Sequence, residues 1–220
     1  MRFTLLIFLA TRVAGQTGGP PPQPISLVET AARLAREGFD HRDARSVLAA
    51  AEILGVVERG TRGVKTLDPA ATSPAGPWQG AFTRANLLAL AARIATDRRD
   101  RATADEIAGL QSRHDSTAGT RGASAGPVWA DTYVASGGAV RYAIDFAGGQ
   151  TPNQLRVSAS KPGAVLECTL AEASAPDVVA ARVNSLAGTC TMEWKQRATA
   201  RMILSVKNRG ATAYLVIASN

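Results

Sequence analysis

One short segment of the sequence matches a catalytic motif. Gly122-Ala123-Ser124-Ala125-Gly126 has the G-x-S-x-G form of a hydrolase nucleophile elbow. That chemistry needs the serine on a tight turn between a strand and a helix, with a histidine and an acid brought close to it. Here the neighbours are small residues that break regular structure, and both histidines lie upstream. We therefore predict that Ser124 belongs to a linker and is not catalytic.

The two histidines are weak candidates for a metal site or a catalytic base. His41 lies beside Asp40 and Asp43, and two carboxylates near an imidazole can hold a metal or tune a base. The alternative, which we favour, is the polar start of a helix, where acidic residues suit the helix dipole. His114 falls at a helix end between charged neighbours and is predicted to be solvated. No phosphate-binding fingerprint occurs, so we predict no catalytic residue, no cofactor and no metal.

Cys168 and Cys190 are the only cysteines. An even number of cysteines in an exported chain predicts a disulfide. A metal site would need two further ligands, and both histidines lie in the other half of the chain. We predict that Cys168 and Cys190 are bonded to each other.

A basic cluster near the C-terminus is the last group that could take part in chemistry. Lys195, Arg201, Lys207 and Arg209 are mostly out of phase with the apolar residues around them and should face water. They could contact an anionic polysaccharide or a membrane surface. A solvated sheet face with no ligand is the alternative that we favour. The formal net charge of +7 comes from basic residues spread along the chain, which argues against nucleic-acid binding.

The N-terminus predicts export. "MRFTLLIFLATRVAGQT" has an early arginine, an apolar run over Leu5–Ala10 and small residues before Gln16. This order is typical of a signal peptide, which we place at residues 1–15, and the apolar run is too short to span a bilayer. The alternative is an apolar N-terminus on a cytosolic protein. Residues 16–24 read as a Pro/Gly tether, and we expect a periplasmic or secreted protein with no transmembrane segment after cleavage.

Residues 25–115 show helical periodicity. A capping box of Ser26 and Glu29 predicts the start of the first helix, and Gly38 its end. Three further helices are predicted: from Asp40 to Gly60, from Arg84 to Ala95, and onward from Thr103, which forms a second capping box with Glu106. Gly60–Gly80 is predicted to be a long loop. Such short helices are marginal alone, so we expect them to pack on each other as a small bundle.

After a linker at residues 116–127 the apolar period changes from 3.6 to 2. Seven or eight short strands are predicted between Val128 and Ala218. Gly137-Gly138 and Gly148-Gly149 are predicted to be hairpin turns. The expected fold is α+β in two parts, a small helical bundle followed by an antiparallel, jelly-roll-like β-sandwich over residues 128–220.

The C-terminal half resembles the bacterial pre-peptidase C-terminal-type domain, a β-sandwich of exported proteins. The resemblance lies in the order and spacing of "DTYV", "RYAIDFAGGQ", "LRVSAS", "CTMEW" and "ILSVKNRGATAYLVIASN". Relatives often carry an aspartate-rich strand where this chain has "AVLECTLAE". Glu167 and Glu172 alone do not form the oxygen cage that calcium needs, so no bound Ca²⁺ is expected.

The resemblance implies an accessory role, because such sandwiches accompany secreted enzymes without doing their chemistry. We therefore predict an exported, non-catalytic accessory or binding module whose partner is an envelope polysaccharide or another exported protein. The first alternative is carbohydrate or envelope-polymer binding through the sandwich, for which Trp78 and Trp129 would serve if exposed. A hydrolase with an unrecognised site is the least favoured alternative.

Overall fold

The computed structural model describes residues 23–57, 64–66, 82–115, 128–150 and 152–220. The leader at residues 1–15, the linker at residues 116–127 and Ser124 within that linker lie outside these ranges. In chain order the elements are α1 Gln23–Asp40, α2 Ala44–Val56, β1 Val64–Thr66, α3 Arg84–Arg98, α4 Arg101–Asp115, β2 Trp129–Val134, β3 Ala139–Phe146, β4 Asn153–Ala159, β5 Leu166–Glu172, β6 Ala175–Ser185, β7 Thr189–Trp194, β8 Ala200–Asn208 and β9 Ala213–Ser219.

The C-terminal part is a β-sandwich, as the alternating pattern predicts. One sheet has the order β1-β3-β8-β5-β6 and the other β2-β9-β4-β7, and all pairs are antiparallel. Alternate residues of both sheets face inward and form one core, for example Ile144, Leu170 and Leu204 of the first sheet and Leu155 and Met192 of the second. The predicted order of helices followed by a sandwich is confirmed.

One strand comes from the segment expected to be loop. β1 pairs with β3, with Val64 opposite Ile144 and Thr66 opposite Tyr142. The prediction of an uninterrupted loop over Gly60–Gly80 is therefore wrong at Val64–Thr66. Three residues are too few to show an alternation of apolar and polar positions in the sequence. The strand is therefore recognised only from its pairing with the edge of β3.

The predicted helix starts need three corrections. α1 begins at Gln23, inside the predicted tether, so Ser26 lies within the helix and does not cap it. α2 is capped by Asp43, not by Asp40: the Asp43 carboxylate accepts a hydrogen bond from the Arg45 amide at 3.0 Å. α4 is preceded by Asp100, whose carboxylate accepts hydrogen bonds from the Thr103 amide and hydroxyl at 3.1 and 2.7 Å. Asp43 and Asp100 each lie directly before the first residue of their helix, so their carboxylates can reach backbone amides of its first turn.

Neither glycine pair forms a hairpin. Gly137-Gly138 is a turn, and Gly137 has a φ of 76°, but it connects β2 of the four-stranded sheet to β3 of the five-stranded sheet. Gly148-Gly149 connects β3 to β4 and likewise passes from one sheet to the other. The local pattern marks a change of direction correctly, whereas the choice of the next strand's partner depends on the packing of the two sheets.

The helices cover the outer face of the four-stranded sheet. Their hydrophobic core is continuous with Trp129, Tyr214, Val216 and Ala218 on that face. The Trp129 indole donates to the Phe82 carbonyl at 2.6 Å, and the Phe82 amide donates to Asp131 at 2.8 Å. The two predicted parts therefore share an interface, while their domain boundaries stay a prediction.

No helix in the described ranges is both long enough and apolar enough to cross a membrane.

Candidate binding face on the five-stranded sheet

The predicted disulfide is present and joins the two sheets. Cys168 lies on β5 and Cys190 on β7, their Cα atoms are 6.4 Å apart, and both side chains are buried in the sandwich core. The bond therefore anchors β5, an interior strand of the five-stranded sheet, to an edge strand of the four-stranded sheet. The outer face of the five-stranded sheet rests on this cross-linked core.

The histidine cluster does not assemble into a site. His41 is exposed, Asp40 pairs with Arg36 at 3.4 Å, and Asp43 caps α2. The hydrogen bond from the Ser46 hydroxyl, followed by those from the Arg45 and Ser46 amides, holds the pKa of Asp43 below its ordinary value of 3.8. Within the described residues no group of three or more His, Cys, Asp and Glu side chains could hold a metal ion. The side chain of His114 lies outside the described residues.

The tryptophans within the described residues, Trp129 and Trp194, are both buried. Trp129 is 4% exposed and packs between the helices and the four-stranded sheet, so it cannot contact a sugar ring from solvent. The sequence made Trp129 a candidate only if it were exposed, and that condition is not met, because the apolar side of β2 at this position faces the helices rather than water. Trp78 lies outside the described residues.

The outer face of the five-stranded sheet carries polar side chains in rows across the strands. Strand register places Arg182 opposite Thr169, Thr169 opposite Ser205, and Ser205 opposite Arg141. One row therefore crosses β6, β5, β8 and β3 with an arginine at each end and two hydroxyls between them. In the next row, Lys207 lies opposite Glu167.

Five side chains at the end of this face form what we call the basic cluster: Arg141, Glu167, Arg182, Lys207 and Arg209. Arg209 donates to one oxygen of Glu167 from Nε at 2.9 Å, and its NH2 group lies 2.7 Å from the same oxygen. The Arg209 hydrogen bond, and then the charges of Arg209, Lys207 and Arg182, hold the pKa of Glu167 below its ordinary value. Three of these cations, Arg209, Lys207 and Arg182, thus act on a single carboxylate. Arg141 lies on the same face, two strands away from the strand that carries Glu167.

Asn208 positions the turn that carries Arg209. Its buried side chain donates to the carbonyls of Val134 and Ala211 at 3.2 and 2.7 Å and accepts from the Gly210 amide at 3.0 Å. These three bonds satisfy the amide in the core and tie the end of β8 to the end of β2. Arg209 therefore emerges from a fixed turn rather than from a loose connection.

The structure divides the four basic candidates that the sequence suggests. Lys207 and Arg209 lie together in the basic cluster. Arg201 lies six residues before Lys207 on β8, about 20 Å away along the strand, and binds both oxygens of Asp145 at 2.8 and 3.0 Å. That hydrogen bond and the Arg201 charge lower the pKa of Asp145. Lys195 lies directly after β7, a strand of the four-stranded sheet.

Sequence reasoning does not identify Arg141 and Arg182 as members of the basic cluster. Alternation already indicates that Arg141 faces away from the core. Its proximity to residues of β8, more than 60 positions later, follows only from strand register.

Comparisons with known proteins add little to this description. No protein-family model and no curated protein sequence matches the chain. Part of the chain is similar to a solved CBM4 structure, with 12% identity, a TM-score of 0.28, and coverage of 42% of this chain and 79% of the other. Part is also similar to the C-terminal CBM6 of LamC, a marine laminarinase from Zobellia galactanivorans, with 10% identity, a TM-score of 0.21, and coverage of 40% and 77%. These likenesses carry no argument about what this chain binds.

Proposed function

We propose that this protein is an exported, non-catalytic accessory or binding module that works in the periplasm or outside the cell. The disulfide between the sheets supports an oxidising compartment, because such bonds persist outside the reducing cytosol. The leader-like N-terminus supports the same location. The accessory role is the one implied by the resemblance of the C-terminal half to pre-peptidase C-terminal-type sandwiches.

A single observation carries the binding role. Of the two outer faces of the sandwich, one is covered by the helices, and the other presents ordered polar and charged side chains to water. Four adjacent strands hold these side chains, and the disulfide anchors one of them, β5, to the core. A preorganised face loses little conformational freedom when it binds a partner, so its contacts contribute fully to affinity.

Blocking this face tests the proposal. Ser205 lies near the middle of the face, and tyrosine is well tolerated in strands, so Ser205→Tyr should cover the face without unfolding the sheet. We expect the full chain, prepared with its disulfide, to bind at least one polymer in a panel of purified envelope polysaccharides, peptidoglycan and neutral glycans. Ser205→Tyr should weaken that binding at least tenfold.

The matched control is Glu52→Tyr, which places the same side chain on the exposed surface of α2. Affinity electrophoresis of the three proteins gives the comparison. The proposal fails if the wild-type chain binds no polymer in the panel, or if Ser205→Tyr binds as tightly as Glu52→Tyr. N-terminal sequencing of the protein recovered from the periplasm should give a chain that begins at Gln16.

A further inference from the structure

We infer that the basic cluster is a binding subsite for the acidic groups of an anionic polysaccharide. This inference rests on the proposed function, since it assigns a ligand class to the same sheet face. Its residues are Lys207 and Arg182, with Arg141 at the far side of the sheet. The ligand groups would be sugar carboxylates or sulfates, with sugar hydroxyls contacting Thr169 and Ser205.

The first argument is the unbalanced charge of the cluster. Glu167 is the cluster's one carboxylate, and Arg209 already engages it through two nitrogens. Lys207 and Arg182 lie near enough for their charges to lower the pKa of Glu167. In the described part of the chain, neither of these two side chains forms an ion pair or a hydrogen bond. Both are exposed, so their positive potential reaches solvent and attracts anions.

The second argument is the spacing of the row. Neighbouring strands lie about 4.8 Å apart, so Arg182 on β6 and Arg141 on β3 are separated by about 14 Å across three strand spacings. Thr169 and Ser205 occupy the two positions between them. Hydroxyls can both donate to and accept from sugar hydroxyls. The row therefore suits an extended chain that lies across the strands and carries charged groups at intervals with neutral hydroxyls between them.

The same face is poorly suited to a membrane. Among the described residues of this sheet, the large apolar side chains exposed to solvent are confined to Val178 and Val179 of the edge strand β6. Ala143 and Ala171 are buried, and Ile203 is half-buried. A membrane-binding surface needs apolar groups that insert below the headgroups. Glu167 and Asp145 would also be repelled by a continuous anionic surface, whereas they can accept hydrogen bonds from sugar hydroxyls.

The face is also poorly suited to single-stranded nucleic acid. Binding of that kind combines basic grooves with aromatic side chains on which bases stack. The aromatic residues of β3, Tyr142 and Phe146, face the core, and the outward residues described on β5, β6 and β8 are not aromatic. A nucleic acid would therefore contact this face through its phosphate charges, without base stacking on the described strands.

A charge-matched pair of double variants tests the inference. In Arg182→Ala/Lys207→Ala the two cations that lack a partner are removed from the face. In Lys195→Ala/Arg197→Ala the same charge is removed from exposed positions after β7. The probes are polygalacturonate for carboxylates, dextran sulfate for sulfates, neutral dextran, phosphatidylglycerol vesicles and single-stranded DNA, each titrated against the full disulfide-bonded chain.

We expect polygalacturonate or dextran sulfate to bind, with an affinity that falls as salt rises. Arg182→Ala/Lys207→Ala should weaken binding about tenfold, equivalent to about 1.4 kcal/mol, and the control pair should change it less than about threefold. Equal losses in the two pairs, or tighter binding of vesicles or DNA than of either acidic polymer, would overturn the inference. Binding of neutral dextran alone, unchanged in both pairs, overturns it but leaves the proposed function standing. No binding to these probes or to the wider polymer panel overturns both.

Discussion

At the scale of single residues, nearby donors engage most of the carboxylates that we describe. Ser46 donates to Asp43, Thr103 to Asp100, Arg201 to Asp145 and Arg209 to Glu167. In each case the hydrogen bond lowers the pKa of the carboxyl group. A group whose pKa is lower in the folded state than in the unfolded state stabilises the fold above the unfolded pKa, and that contribution is lost as pH falls through the folded pKa.

The cap of α2 gives a prediction at this scale. Asp43→Ala removes the acceptor for the Arg45 amide and the Ser46 hydroxyl, so the free energy of unfolding at pH 7 should fall by about 1 kcal/mol. The difference between wild type and variant should shrink as pH falls below 3.8 and through the lowered pKa of Asp43. Urea unfolding at a series of pH values measures this. Asp40→Ala is the control and should cost less than about 0.5 kcal/mol, and an equal cost for both variants would restore Asp40 as the cap.

At the scale of elements, a polar contact connects α1 to β4. Glu29 lies 3.0 Å from Arg156 of β4, and it also accepts a hydrogen bond from the Ser158 hydroxyl. The glutamate that the sequence suggests for a capping box thus contacts the sandwich instead. Both charged side chains are about three-quarters covered, so they are less screened than the exposed ion pairs of the helices.

Removing Glu29 should loosen α1 from the sheet. Glu29→Ala leaves Arg156 partly covered and without this carboxylate, so we expect a loss of about 1–2 kcal/mol of unfolding free energy. Hydrogen exchange of the α1 amides should become faster. The control is Glu37→Ala, which removes an exposed pair with Arg33 and should cost less than about 0.5 kcal/mol. Unchanged exchange in α1 would show that apolar packing alone holds the helix in place.

Two turns that meet at one end of the sandwich give a second prediction for elements. A Cβ on Gly210 would overlap the Gly163 carbonyl oxygen and would lie 2.5 Å from the Val165 amide nitrogen. Backbone atoms cannot give way as a flexible side chain can, so Gly210→Ala should destabilise the protein by about 1–3 kcal/mol.

Replacing a glycine that has open space around it should instead increase the stability of the protein. A Cβ on Gly109, within α4, meets nothing within 4 Å, and alanine has the higher helix propensity. Gly109→Ala should therefore stabilise by about 0.5–1 kcal/mol. Thermal unfolding of wild type and of both variants measures these changes in stability. A stability of Gly210→Ala above that of wild type would mean that the two turns do not meet as described.

At the scale of the whole molecule, two connections fasten the layers together. The disulfide joins the two sheets, and Asp131 joins the sandwich to the segment before α3 by accepting from the Phe82 amide and the Tyr214 hydroxyl. Burial, and then the charge of Asp131, raise the pKa of Tyr214. The Tyr214 hydroxyl therefore remains a donor well into alkaline solution.

Reduction of the disulfide tests the first connection. Cys168 and Cys190 are 22 residues apart in the chain, and closing a loop of that size stabilises by about 3 kcal/mol in the chain-entropy model. We expect reduction to lower the free energy of unfolding by a similar amount and so to lower the denaturant midpoint. The m-value should rise slightly, because the unfolded chain without the cross-link is less compact. Cys168→Ala/Cys190→Ala serves as the control and should not respond to reductant. Equal midpoints for oxidised and reduced wild type would contradict the prediction.

The sequence by itself determined the helix-then-sandwich order, the disulfide partners and the core-facing phase of most strands. Each of these follows from residue types and from a period of 2 or 3.6, which are properties of neighbouring residues. Only the tertiary structure decided that β1 joins the sheet, that both glycine pairs cross between sheets, and that Asp43 and Asp100 act as caps. It also brought Arg141, Arg182 and Lys207 to one face. Register and face coverage depend on hydrogen bonds and packing between segments far apart in the chain, which no local period encodes.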